Sequence, residues 1–298
     1  MATETALEHK KTILLCPTDS QTKGIRQGFL NTVIRLSDGS SWKLVNSLSH
    51  AKYQQMQPPF EAREVFESVC VHDPNEIHSG AGSAIVKVKF QIKGCEEALK
   101  EIETEICSDR AKLAEESDPK RRRFLLRELE IGERMLYNAT HPITTPNGDT
   151  LKEVQALQKF HDTQCATTPH SLDVVGDWQP PGVDRLGMPW GFSIFIVMTK
   201  VPGERVTSEL LKNMTLDERN EVRASFKKAI MEVWKRGFCP DDCAMRNLMW
   251  DKETRTCYIV DFEDYSKVNI KDPEAWWEDR YYQNWEIDEE TLARYWSY

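Results

Sequence analysis

The hydrophobic and polar positions change period several times along the chain. Thr32-Val-Ile-Arg-Leu36 and Trp42-Lys-Leu-Val45 flank a Ser-Asp-Gly-Ser turn and predict a β-hairpin. Val65–Val71 and Ala84–Ile92 predict two further strands, joined by a turn carrying Ser79-Gly-Ala-Gly-Ser83. In the second of these strands Lys87 and Lys89 break the alternation, which predicts that at least one lysine faces inward. Residues 95–137 are rich in Glu, Lys, Arg and Leu and are interrupted by Pro119, a pattern of two charged helices inserted on the outside of a fold. Thr150–His161 predicts a helix whose apolar stripe is Leu151, Val154, Leu157 and Phe160. Apolar runs near Ser171–Val175 and at Phe192–Met198 predict strands, the latter ended by Pro202-Gly203. Thr215-Leu-Asp-Glu218 is a capping box, opening a helix with Val222, Phe226, Ala229, Ile230 and Val233 on one face and Gly237 at its end.

These elements predict an α+β fold in two lobes. A loose arm is expected over residues 1–28, an antiparallel sheet lobe over 29–200 with the charged insertion, and a mainly helical lobe over 201–298. No repeat of fixed period is visible, which excludes a solenoid or propeller.

Composition narrows the function classes. The 298 residues carry 39 basic and 48 acidic side chains, a net charge of −9, which disfavours nonspecific binding to nucleic acid or to an anionic membrane. The longest apolar stretch falls well short of the roughly 20 residues that span a bilayer. The opening segment reads as no secretory signal, so a cytoplasmic location is expected. Eight cysteines are scattered with no Cys-x-x-Cys spacing, and they are read as free thiols rather than a zinc site or disulfide framework. Lys120-Arg-Arg-Arg123 is read as a solvated helix start.

The candidate chemistry follows the capped helix. Asp242 is followed five residues later by Asn247, and the apolar segment Tyr258-Ile-Val260 leads into Asp261-Phe-Glu263. One carboxylate can accept a proton from a hydroxyl, while an amide and a second carboxylate supply hard oxygen ligands for Mg²⁺.

In this spacing the chain resembles the protein-kinase-like superfamily, closest to its aminoglycoside and choline phosphotransferase branch. The resemblance implies a two-lobed kinase-like fold, ATP and Mg²⁺ as cofactors, and a small-molecule acceptor. It makes Asp242 the catalytic residue and Asn247 and Asp261 the metal ligands. It assigns Lys87 to the ATP phosphates and Glu153 to pairing with that lysine; Lys89 shares the face of Lys87 and is the alternative. Met198, Thr199 and Val201 would form the hinge that holds adenine. The chain departs from the family pattern at three places. Pro240 stands where the family has a His, no glycine-rich loop precedes Lys87, and only Asp264–Tyr298 follow the last motif. Asn46-Ser-Leu-Ser49 is the candidate substitute for the missing loop. The short remainder argues against a peptide substrate. A nucleotide-binding or scaffold module that keeps the fold without catalysis, a pseudokinase, is the alternative function.

Overall fold

A computed structural model describes residues 28–54, 57–78, 80 and 82–297. Gly28 apart, the arm expected over residues 1–28 lies outside the described residues, as do Ser79 and Ala81 of the expected turn. The chain is α+β and divides into two compact units. The first runs to Asn147 and takes in Asp173–Val197; the second comprises Gly148–Leu172 and Met198 onward.

The first unit is built on a sheet of β1 (Val33–Arg35), β2 (Ser41–Ser47), β3 (Lys52–Gln54), β4 (Glu61–His72), β5 (Ser83–Gln91), β6 (Ser171–Trp178) and β7 (Phe192–Thr199). The strand order is β1-β2-β4-β5-β7-β6, with β3 beside β4. The pairs β1–β2, β2–β4, β3–β4 and β4–β5 are all antiparallel. Strand β5 is buried on both faces. Val86, Val88 and Phe90 fill one, while Lys87 and Lys89 lie on the other at 6% and 1% exposure. Both lysines are buried, in line with the expectation that at least one faces inward.

Two helices leave this sheet and return to it. Helix α1 (Glu96–Glu115) is capped by Cys95, and α2 (Pro119–Thr140) by Asp118, whose carboxylate accepts from the backbone of Lys120 and Arg121. Pro119 occupies the first helical turn, where a missing N–H costs nothing, so it starts α2 rather than merely breaking α1. Only Ile102, Ile106, Leu125 and Ala139 of the two helices are buried, consistent with an outward insertion. The hairpin is tied at its base by Gln91, which is fully buried. Its Nε2 donates to the Asn138 and His141 carbonyls (3.0 and 2.7 Å), and its Oε1 accepts from the Ile143 N–H (2.9 Å).

The second unit opens with α3 (Gly148–Asp162). The sequence reading places this helix with the sheet lobe, but its buried face packs within the second unit: Phe160 meets Phe238 and Phe262 at 5.2 and 4.6 Å. The buried face is also rotated from the expected stripe. Thr150, Glu153, Ala156, Leu157 and Phe160 are buried, while Leu151 and Val154 lie at its edge. After β8 (Glu204–Arg205) and α4 (Ser208–Lys212), α5 (Leu216–Lys235) forms the centre of the unit. Its capping box is formed in both directions. Its buried residues include Val222, Phe226, Ile230, Val233 and Trp234. Strands β9 (Phe238–Pro240), β10 (Leu248–Asp251), β11 (Thr256–Ile259) and β12 (Tyr265–Lys267) follow. Three short helices close the core: α6 (Pro273–Trp276), α7 (Arg280–Asn284) and α8 (Glu289–Trp296), with the rings of Trp277, Tyr282 and Trp285 packed at tilted or edge-on angles around Phe226. No helix of the described residues is long and apolar enough to cross a membrane.

Two predictions follow from this packing. Gly203 has φ +89°, and a Cβ there would strike the Trp250 carbonyl on β10, next to the Glu204–Trp250 pair. Gly203→Ala should lower the urea unfolding free energy by more than about 1 kcal/mol. Glu289 links α8 to α5 through Arg219 (2.8 Å) and Arg223 (2.8 Å). The hydrogen bond from Arg219 outweighs the upward push of partial burial, and together with Arg223 it holds this carboxyl below the usual carboxylate range. A lowered folded value means the stabilisation is present above the unfolded-state value and is lost as pH falls through the folded one. The unfolding midpoint of Glu289→Gln should therefore lie below wild type at pH 7, and the two should converge in acid.

Candidate functional site

Nested strand pairing shapes the candidate site. Helix α5 ends at Lys235, and Gly237, with a φ of +91°, turns the chain into β9. Strand β9 pairs antiparallel with β12, so Pro240 lies opposite Tyr265 and Phe238 opposite Lys267. Inside that pair, β10 and β11 form a second antiparallel ladder, from Leu248 opposite Ile259 to Asp251 opposite Thr256. Between the two ladders sit the two candidate segments, Asp241–Asn247 and Val260–Asp264. They are stitched together by Val260 N–H to the Asn247 carbonyl (2.9 Å) and Asp241 N–H to the Asp264 carbonyl (3.1 Å). The Ser266 hydroxyl adds a bond to Asp241 Oδ2 (2.8 Å).

Asn247 is buried, at the end of a 3-10 turn over Met245–Asn247. Its Nδ2 donates to the Asp242 carbonyl (3.0 Å) and to Asp242 Oδ2 (3.1 Å). This orientation of the amide leaves Oδ1 as the atom able to bind a cation. The turn is held from the far side by Glu286, whose Oε2 accepts from Met245 N–H (3.4 Å) and whose Oε1 accepts from the Tyr295 hydroxyl (2.9 Å).

Asp261 has φ +69°, a left-handed conformation that a non-glycine residue adopts at some cost. The next residue, Phe262, is fully buried against Phe160 of α3, which fixes the backbone on either side. Phe160 and Glu153 lie seven residues apart on one face of α3, so the same contact brings Glu153 to this segment. Glu153, Asp261 and Glu263 each offer a carboxylate oxygen, and these oxygens all lie within 4.8 Å of one another. Hard oxygen donors at this spacing suit Mg²⁺ or Ca²⁺ rather than a soft metal.

The structure thus brings Asn247 to Asp242 and Glu153 to Asp261, with the Val260–Asn247 backbone bond linking the two segments. Lys87 lies buried on β5 of the first unit. Met198, Thr199 and Val201 begin the second stretch of the second unit. Of these hinge residues, the Thr199 N–H is already bonded to the His170 carbonyl (3.0 Å), and Thr199 Oγ1 accepts from His170 N–H (2.9 Å). The Thr199 N–H is therefore not available as a hinge donor. In the Asn46–Ser49 segment, the Ser47 hydroxyl donates to the Ser49 carbonyl at 2.8 Å.

Glu263 stands in the Asp261-Phe-Glu263 motif of the sequence reading, which gave it no role of its own; folding brings it to Glu153 and Asp261. One residue at the site was missed by the sequence reading. Arg246 stands four residues after Asp242, and its Nη2 contacts both carboxylate oxygens (2.6 and 2.9 Å). The neighbouring thiol contributes no nucleophile. Burial, with the charges of Asp241 and Asp242 close by, pushes Cys243 up to about 11. Seven cysteines are free among the described residues.

No family model matches the chain, and no curated protein matches it.

The Phe160–Phe262 contact carries a prediction. Phe262→Ala should destabilise the protein by about 3–5 kcal/mol, the usual cost of emptying a buried aromatic site, measured by urea unfolding. Phe262→Leu should cost less and keep Asp261 in place.

Proposed function

We infer that this chain is an ATP-dependent phosphotransferase of the two-lobed protein-kinase-like kind, acting on a hydroxyl of a small molecule. The observation that carries the reading is the meeting of Glu153, Asp261 and Glu263, from segments about a hundred residues apart, beside the Asp242–Asn247 turn. The division into two compact units is in keeping with it.

In this reading Asp261, Glu263 and the Asn247 Oδ1 would hold Mg²⁺, which would supply positive charge beside the phosphate oxygens. Asp242 accepts the acceptor's hydroxyl proton. The acceptor oxygen then forms its bond to the γ-phosphorus as the bond to the β-bridging oxygen breaks and ADP leaves. Asn247 positions Asp242 through its two hydrogen bonds. Lys87 and the hinge residues Met198 and Val201 are assigned to ATP on the resemblance. The buried and hydrogen-bonded frame supplies positioning and electrostatic stabilisation, which is most of what phosphoryl transfer requires. One observation favours a second reading, a nucleotide-binding scaffold without turnover: Asp242 is already ion-paired with Arg246.

ATP hydrolysis and Mg²⁺-dependent ATP affinity of wild type and two variants distinguish these readings. Asp242→Asn should lower turnover by roughly 10²–10⁴-fold, the scale of a lost general base, while sparing ATP affinity. Asp261→Asn should weaken the Mg²⁺-dependent affinity by at least the roughly 10–100-fold that a lost supporting group costs a metal site. Equal turnover in wild type and Asp242→Asn would remove the catalytic assignment, and Mg²⁺-independent binding with no turnover would favour the scaffold.

A further inference from the structure

Arg246 holds Asp242 in an unusual way. Both contacts come from one nitrogen, Nη2, at 2.6 and 2.9 Å. A guanidinium carries five N–H donors in a planar fork. Among the described residues, Nε and Nη1 of Arg246 have no partner. The side chain is 58% exposed, so these donors face solvent beside the carboxylate. The other acids nearby are engaged elsewhere. Asp241 accepts from Ser266, and Glu286 accepts from Met245 and Tyr295.

We propose that the solvent-facing guanidinium of Arg246 is the subsite that selects the acceptor, and that the acceptor is a hydroxylated molecule carrying an anionic group, a carboxylate or a phosphate. This rests on the phosphotransferase reading of Asp242. The Asp242–Arg246 pair is neutral as a unit, so it offers no attraction to an ammonium group. The guanidinium repels a cation and donates charge-assisted bonds to an anion, and a parallel pair of bonds must include Nη2, the nitrogen that holds Asp242. An anion bound there sets its own hydroxyl beside Asp242. It also competes for the guanidinium. An exposed i, i+4 ion pair contributes little and opens readily. The acceptor therefore loosens the hold on Asp242 as it arrives, and the carboxylate becomes free to take the hydroxyl proton.

The experiment is calorimetric binding of glycerol 3-phosphate, D-glycerate, glycerol and choline to the full chain with ATP-site occupancy held constant by an unreactive analogue. Wild type, Arg246→Gln and Arg246→Lys are compared, and acceptor KM is measured in parallel. At least one anionic probe should bind wild type more tightly than glycerol or choline does. Arg246→Gln should weaken that probe by about tenfold or more, the scale of one lost charge-assisted pair, and leave glycerol unchanged. Arg246→Lys, which keeps the charge without the fork, should fall between. Acceptor KM should rise with the binding loss while the KM for ATP stays constant. Absence of anionic binding to wild type, or equal anionic affinity in wild type and Arg246→Gln, overturns the proposal. Turnover of choline or glycerol with that result leaves the phosphotransferase reading standing without it. Anion binding that depends on Arg246, with no turnover of any acceptor, supports the subsite and removes the phosphotransferase reading instead.

Discussion

Phe262, wedged against Phe160, is the contact on which the candidate site depends. It joins a helix near the middle of the chain to a turn late in it. Polar groups sit on both sides of that contact, Glu153 two turns up the helix and Asp261 and Glu263 flanking the ring. Three carboxylates do not assemble of their own accord, since like charges repel. Burial of two aromatic rings supplies the favourable free energy that holds them close. The strained backbone at Asp261 is maintained by the same means, between the β10–β11 ladder that precedes it and the buried ring that follows it.

Strand pairing solves a separate problem. Asp242 and Asp261 are separated by a complete hairpin. The β9–β12 ladder closes the outside of that excursion and β10–β11 fills the inside, so both segments emerge at one place. This arrangement asks little of the side chains in between. Trp250 and Cys257 need only be apolar and of suitable size, and they are buried accordingly.

How much of this was legible in the sequence differs by element. The capping box at Thr215, the helix start at Pro119 and the spacing from Asp242 to Asn247 are local, and local chemistry announces itself in sequence. The placement of α3 is not local. Its apolar stripe, drawn through Leu151 and Val154, was a reasonable reading of periodicity, but the most buried face runs through Thr150 and Glu153. A buried acid inside a helix is an exception to hydrophobic patterning, and such exceptions are found where a site overrides packing. Lys87 and Lys89 are the same kind of exception in a strand, and there the broken alternation was visible. Arg246, and a role for Glu263 beyond its place in the motif, went unread because their importance lies in the neighbours that folding supplies.

The clamp at Gln91 has an evolutionary consequence. Gly94 N–H bonds to the Ala139 carbonyl (3.1 Å), so the two ends of the helical hairpin meet at its base while one glutamine ties them to the sheet. A segment whose ends already touch can lengthen, shorten or change its surface charge without shifting the register of β4 on β5. The hairpin is thus a module held at its base, whose length and surface charge the pairing of β4 with β5 does not dictate.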